Sequence, residues 1–172
     1  QQQKFLPQML FQFPPDRLNQ QAAQLKLSHR LEYLKTINGV KFINDSKATN
    51  PAATIAALKG IDKPVRLLLG GKAKKSGYSK LVGFLDRSTV KSTYLFGSAR
   101  RKLARRLENQ GGSSFEAHPS LDKATKKAFF DAKPGEIVLL SPGCSSFDSY
   151  SSFEERGKQF RIIVKSLVDK IE

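Results

Sequence analysis

Short, largely apolar runs set far apart constrain this chain more than any other feature. Val65–Leu69, Thr93–Phe96 and Ile137–Leu140 lack the apolar–polar alternation of a strand with one wet face. Such strands are covered on both sides, which places them inside a mainly parallel sheet with helices above and below. Helical stripes lie between and after them. Ala53, Ala56 and Ala57 share one face behind Pro51, a residue suited to a first helical turn. Ala99, Leu103 and Leu107 recur every four residues. Leu121, Ala124, Ala128 and Phe129 form a third stripe, with Ser120 placed to cap it. Phe160, Ile163, Val164, Leu167 and Ile171 form the clearest one. Ahead of all these, the β-prone runs Leu31–Leu34 and Val40–Ile43 flank Asn38-Gly39, a hairpin signal. The expected fold is α/β, a Rossmann-like, mainly parallel sheet flanked by helices, with an N-terminal hairpin.

Length and composition narrow the class. At 172 residues, 39% of them apolar, the chain has the size and the core of one domain. It holds one Cys and two His, which excludes a disulfide framework and a cysteine zinc cluster. No apolar run approaches the roughly 18 residues of a membrane span. The expectation is a soluble domain of a reducing compartment. Residues 1–28 differ in texture, being rich in Gln, and carry a weak stripe of Leu18, Ala22 and Leu25. They are expected to be a linker or the remnant of a preceding domain, with the regular domain spanning 29–172. The first residue is not Met, and the apolar side chains near the start want a partner surface, so an upstream continuation is expected.

Parallel sheets bind ligands at the carboxyl ends of their strands. Four polar or glycine-rich segments follow the predicted strands: Asn44–Asn50, Gly70–Lys75, Gly97-Ser98 and Ser141–Asp148. The first offers a carboxylate, hydroxyls, an amide and a lysine ahead of a helix. It reads either as a turn capped by Thr49 or Asn50, or as an anion site built on Lys47 and the helix N-terminus. The second lets a ligand approach backbone closely, with Lys74 available to an anion. Cys144 has no histidine near it in sequence and reads as packing rather than nucleophile. Ser146 and its hydroxyl neighbours suit ligand hydrogen bonding. Neither a Walker A loop nor G-x-G-x-x-G occurs.

Charge is uneven. The net value is +15, and residues 61–106 carry thirteen Lys and Arg against two Asp and Glu. Nucleic acid, anionic lipid and phosphate-bearing small molecules all account for that balance. Arg100, Arg101, Lys102, Arg105 and Arg106 form a cationic face opposite the Ala99–Leu107 stripe, without the aromatic interleaving of single-strand binders.

Read together, NGVKFINDSKATNPAATIAAL, LLLGGKAKKSGYSKL, YLFGSARRKL and VLLSPGCSSFDSYSSFEERGKQF resemble, in order and spacing, the C-terminal domain of the Mur ligase family, in its D-glutamate-adding MurD branch. The resemblance covers about residues 29–172. It implies a cytoplasmic ATP- and Mg2+-dependent amide ligase of peptidoglycan synthesis that joins D-glutamate to UDP-N-acetylmuramoyl-L-alanine through an acyl phosphate. It implies a D-glutamate pocket of Lys47, Thr49, Lys74, Ser146 and Phe153, with Phe147 at its wall. It places His29 at an interdomain hinge, gives His29 and Lys47 catalytic positions, and directs Arg30 and Asp45 toward the nucleotide. ATP and Mg2+ would be held mainly by N-terminal and central domains, and the 172 residues alone are expected to be inactive. Ala73 and Lys75 depart from the family, which usually has an acidic residue and often Gly there. Two other readings follow from the sequence: a sister ligase of the Mur or folylpolyglutamate type, whose motif after the hairpin is of an Asp-Asn-Pro kind, and a basic nucleic-acid module, which leaves the four loops unexplained. No membrane partner is expected.

Overall fold

The computed structural model describes residues 28–169. The stripe expected within 1–28 and Ile171 lie outside them. In chain order the elements are β1 (Glu32–Ile37), β2 (Val40–Asn44), α1 (Pro51–Lys59), β3 (Val65–Gly70), α2 (Tyr78–Leu85), β4 (Val90–Phe96), α3 (Arg100–Gln110), β5 (Phe115–Ala117), α4 (Leu121–Asp131), β6 (Ile137–Leu140) and α5 (Phe153–Val168). The six strands form one sheet in the order β1-β2-β6-β3-β4-β5. Only β1 runs antiparallel, paired with β2; the other neighbours are parallel. The expected α/β class and hairpin are therefore present. Asn38 (φ 49°) and Gly39 (φ 78°) are both left-handed, the backbone that a tight two-residue hairpin turn demands.

Period-two geometry explains the unbroken apolar runs. Leu67 and Leu69 face one layer and Leu68 faces the other, and all three are fully buried. On one side Phe42, Leu68, Tyr94 and Val138 pack against Ala124 and Ala128 of α4 and Phe160 and Val164 of α5. On the other, Leu67, Leu69 and Leu139 pack against Leu58 of α1, Leu81 and Leu85 of α2, and Leu103 and Leu107 of α3.

Several expectations need correction. In α1 the buried residues are Pro51, Thr54, Ala57 and Leu58, while Ala56 is exposed. The face is rotated because Thr54 directs its hydroxyl to the Ser141 carbonyl, 3.1 Å away. The first hairpin strand runs to Ile37, and β4 begins at Val90 rather than Thr93. Helix α2 and strand β5 were not anticipated. The first starts at Gly77 without a side-chain cap, and the second is three residues long with no buried position. The caps at Asn50 and Ser120 are formed, by bonds of 2.9 Å from the Ala53 N–H and 3.2 Å from the Lys123 N–H.

Position on α5 decides what a truncation costs. Phe160→Ala empties a fully buried site and is expected to remove about 3–5 kcal/mol. Ile162→Ala, two residues on and 61% exposed, should stay within about 0.5 kcal/mol in the same urea titration.

Candidate functional site

The carboxyl ends of β2, β6, β3 and β4 lie along one sheet edge, so the four loops singled out in the sequence meet there. Close backbone approach is required at β3. Gly70 has φ 148°, and a Cβ on it would overlap the Phe96 carbonyl at the end of β4.

Hydrogen bonds bind the loops to one another. Lys72 and Ser145 exchange backbone bonds of 2.9 and 3.1 Å, forming an isolated antiparallel bridge. The Gly143 N–H donates to the Ala48 carbonyl at 2.9 Å. The Tyr78 hydroxyl accepts from the Lys74 N–H and donates to the Gly143 carbonyl, both at 3.0 Å. Beneath these lies Arg156 of α5, with no exposed surface. Its Nε donates to Ser46 Oγ (3.0 Å), Nη1 to the Cys144 carbonyl (3.0 Å) and Nη2 to the Ser46 carbonyl (2.8 Å). Ser46 Oγ in turn donates to the Phe153 carbonyl at 2.7 Å. Burial lowers the Arg156 pKa to about 10, which leaves it cationic at neutral pH.

A second network closes the hairpin end. His29 is 3% exposed, at a left-handed φ of 66°. Its Nδ1 lies 2.9 Å from Asn44 Nδ2, so it is the unprotonated acceptor of that bond. Burial first, and then the charge of Arg161, lowers its pKa. A Cβ at position 157 would collide with this ring, so Gly157 is required for the ring to sit there. Asp45 is 4% exposed, and both its oxygens are engaged: Oδ1 by the Leu31 N–H (3.1 Å) and Oδ2 by the Ser141 hydroxyl (2.7 Å). Burial pushes its pKa up to about 6, against those two bonds and the nearby Arg30 charge.

The residues proposed from the sequence divide by placement. Lys47 and Lys74 are exposed cations on adjoining loops, their backbone amides fixed by His29 O and the Tyr78 hydroxyl. Thr49 is half-buried, and its N–H donates to the Lys47 carbonyl at 2.9 Å. Ser146 is buried, and its carbonyl accepts from the Ser149 and Tyr150 N–H groups. Phe153 packs edge-on to His29, centroids 6.4 Å apart. Phe147 is 68% exposed and projects from the edge, and Arg30 is exposed beside Asp45. His29 and Asp45 are turned inward: they fix the 28–31 turn against β2 and α5. Cys144 is buried, its thiol 3.4 Å from the Tyr78 hydroxyl, and burial raises its pKa to about 11, away from nucleophilic use. Arg156, Tyr78 and Asn44 were missed as positioning residues. An arginine inside an otherwise apolar helix stripe was the available signal for the first.

A cleft of about 340 Å³ lies on the α4–α5 side, bounded by Phe96, Gly97, Ser120, Asp148 and Tyr150. It contains none of Lys47, Thr49 or Lys74, so this cleft and those candidate residues are distinct. Among the described residues no three His, Cys, Asp or Glu side chains group as a metal site. None of the described helices is long and apolar enough to cross a membrane.

Residues 29–144 match the family described as Mur ligase, glutamate ligase domain. The chain is 37% identical over 158 residues to a UDP-N-acetylmuramoylalanine--D-glutamate ligase of Caldicellulosiruptor saccharolyticus, covering 91% of this chain and 35% of the relative. It is 42% identical over 141 residues to the enzyme of the same name from Natranaerobius thermophilus, covering 82% and 30%. The chain thus spans about a third of the length of the curated relatives it matches. Its fold is similar to that in a bifunctional folylpolyglutamate synthase/dihydrofolate synthase from Yersinia pestis (TM-score 0.58, 17% identity, 80% of this chain and 31% of that one). It is also similar to that in the UDP-N-acetylmuramate-alanine ligase MurC of Thermotoga maritima (TM-score 0.54, 11% identity, 80% and 30%).

The Asp45 environment makes stability fall as pH rises. With the folded pKa near 6 and the ordinary value of 3.8, the folded state holds the extra proton between those limits. The carboxyl therefore destabilises the fold progressively from about pH 4 to about pH 6, by up to ~3 kcal/mol above that. Asp45→Asn should match the parent near pH 4 and exceed it increasingly to pH 6, as read from urea midpoints at a series of pH values. Arg156→Met, which strands two carbonyls and a hydroxyl, should lose about 3–5 kcal/mol at every pH.

Proposed function

The chain belongs to the Mur ligase, glutamate ligase domain family, and from that premise we propose that it is the D-glutamate-binding, ATP-closing part of a cytoplasmic ligase joining D-glutamate to UDP-N-acetylmuramoyl-L-alanine. The observation that carries this reading is the arrangement of the 44–50, 70–77 and 141–148 loops at one sheet edge, tied by Arg156 and Tyr78.

A dicarboxylate amino acid needs two fixed cations and neutral donors, and leaves its amine unpaired. Lys47 and Lys74 supply the cations, Thr49 and Ser146 the hydroxyls, and Phe153 and Phe147 the apolar border. Each charge-assisted bond contributes roughly 1.5–3 kcal/mol. The reaction attaches that amine to a carboxyl carbon activated as an acyl phosphate. The amine nitrogen forms the new bond, the carbon–oxygen bond to phosphate breaks, and the nitrogen loses a proton. ATP supplies the phosphoryl group. Pocket residues act by holding the amine at the carbon and excluding alternative orientations. Arg30 would meet phosphate charge beside the 28–31 turn, and His29 and Asp45 act as positioning residues for that turn. Among the described residues no group of three His, Cys, Asp or Glu side chains gathers that could hold Mg2+.

The structural likeness to a folylpolyglutamate synthase keeps a sister ligase as the second reading. Asp45-Ser46-Lys47 stands where a sister ligase is expected to carry an Asp-Asn-Pro type motif, so Lys47 and Thr49 favour D-glutamate.

Amide chemical-shift titration of the labelled chain tests the reading. D-glutamate should move Lys47, Thr49, Lys74 and Ser146 while L-glutamate leaves them in place. Lys74→Ala should weaken that response about 10–100-fold. Equal responses to the two enantiomers would remove D-glutamate as the substrate.

A further inference from the structure

The candidate site does not account for the cations on the outer face of the α2–α3 layer. These are Lys80 and Arg87 at α2 and Arg101, Lys102, Arg105 and Arg106 on α3. Arg106 Nη1 reaches Ser79 Oγ at 3.2 Å, which joins the two helices into one surface. None of the six forms an ion pair among the described residues. Helix α3 begins with Arg100, Arg101 and Lys102, has no acidic residue in its first turn and no side-chain cap. That is the end of a helix where its dipole disfavours cations. The charge is also one-sided. Helices α2 and α3, with Asp86 and Arg87 that follow α2, carry seven cations and two carboxylates, whereas α4 and α5 carry seven and four. Several of the latter are paired: Lys126 with Asp122, Lys127 with Asp131 and Arg161 with Glu32.

We propose that the α2–α3 face docks onto an anionic phospholipid bilayer, through headgroup phosphates and without insertion. Exposed large apolar side chains sit at Leu31, Tyr33, Phe130, Phe147 and Ile162, none of them on α2 or α3. The face therefore has no stacking platform for single-stranded nucleic acid and no wedge for acyl chains. What it has is a Coulombic surface on one layer of a sandwich, suited to a plane of negative charge. Arginine predominates, and its planar fork matches phosphate oxygens bidentately. Docking by the helix layer leaves the sheet edge, with Lys47 and Lys74, open to solution.

The test is sedimentation of the 172-residue chain with vesicles of phosphatidylglycerol and phosphatidylcholine, and with phosphatidylcholine alone. Binding is expected only to the mixed vesicles and should fall steeply with salt. The pair Arg101→Glu and Arg105→Glu should weaken it at least about tenfold. Both side chains are exposed, and Glu in the first turn of α3 suits the helix dipole, so the thermal midpoint should not drop. The pair Lys123→Glu and Lys165→Glu on α4 and α5, with the same change in net charge, should leave binding within about twofold. Three results would overturn the proposal: no binding at low salt, equal weakening by the two pairs, or displacement from vesicles by duplex RNA at matched phosphate concentration.

Discussion

One buried guanidinium holds the loop-bearing edge of the sheet in shape. Arg156 has no exposed surface, and its bonds run to a hydroxyl and two backbone carbonyls rather than to a carboxylate. A charge so placed is tolerable only while every donor is satisfied, because desolvation without compensation costs several kcal/mol. Its acceptors belong to the segment after β2 and the segment after β6. Neither can withdraw without leaving a buried cation short of partners. The long-range precision of the edge thus follows from a local intolerance, and Gly71 beside it, fully covered, leaves the guanidinium its space.

The sheet was legible because its interior strands carry their environment in their composition. Leu67-Leu68-Leu69 supplies both faces at once, and no solvent-facing alternation competes with that reading. The turn at Asn38-Gly39 was equally direct, since two successive left-handed residues leave few sequences possible. Helix α2 was hidden by an uncapped start at Gly77 and by Gly83 within it, and β5 by its brevity, one half-buried residue followed by two exposed ones. For the site, the loops could be located from the strand ends that precede them. The bonds of Arg156 to Ser46 and of Asp45 to Ser141 could not, because they join residues 110 and 96 apart along the chain. No local pattern encodes a contact of that range. The rotation of α1 belongs to the same class, being set by Thr54 meeting Ser141.

Charge is used in two physically different ways. At the edge, Lys47 and Lys74 are solvated side chains on backbone that is rigidly bonded, so direction is fixed by the loop and the ammonium supplies attraction. On α3 the cations lie along one helix, three of them in the first turn where the dipole opposes them, and direction is shared by several side chains at once. The first arrangement suits discrimination between small ligands. The second suits contact with an extended surface. Asp45 and His29 show the opposite treatment, ionisable groups withdrawn from water and committed to holding a turn.

The strand order has a consequence for how the chain acquires this structure. β6 lies between β2 and β3, and these two share no ladder with each other. The hairpin β1–β2 and the β3–β4–β5 group are therefore two separate half-sheets until residues 137–140 slide between them. Synthesis from the N-terminus completes both halves before that strand, each with an open edge of unpaired backbone facing the gap. The keystone is the last of the six strands, followed by the 141–148 segment and then Arg156. In a nascent chain, closure of the sheet and assembly of the ligand edge are consequently one late event of high contact order.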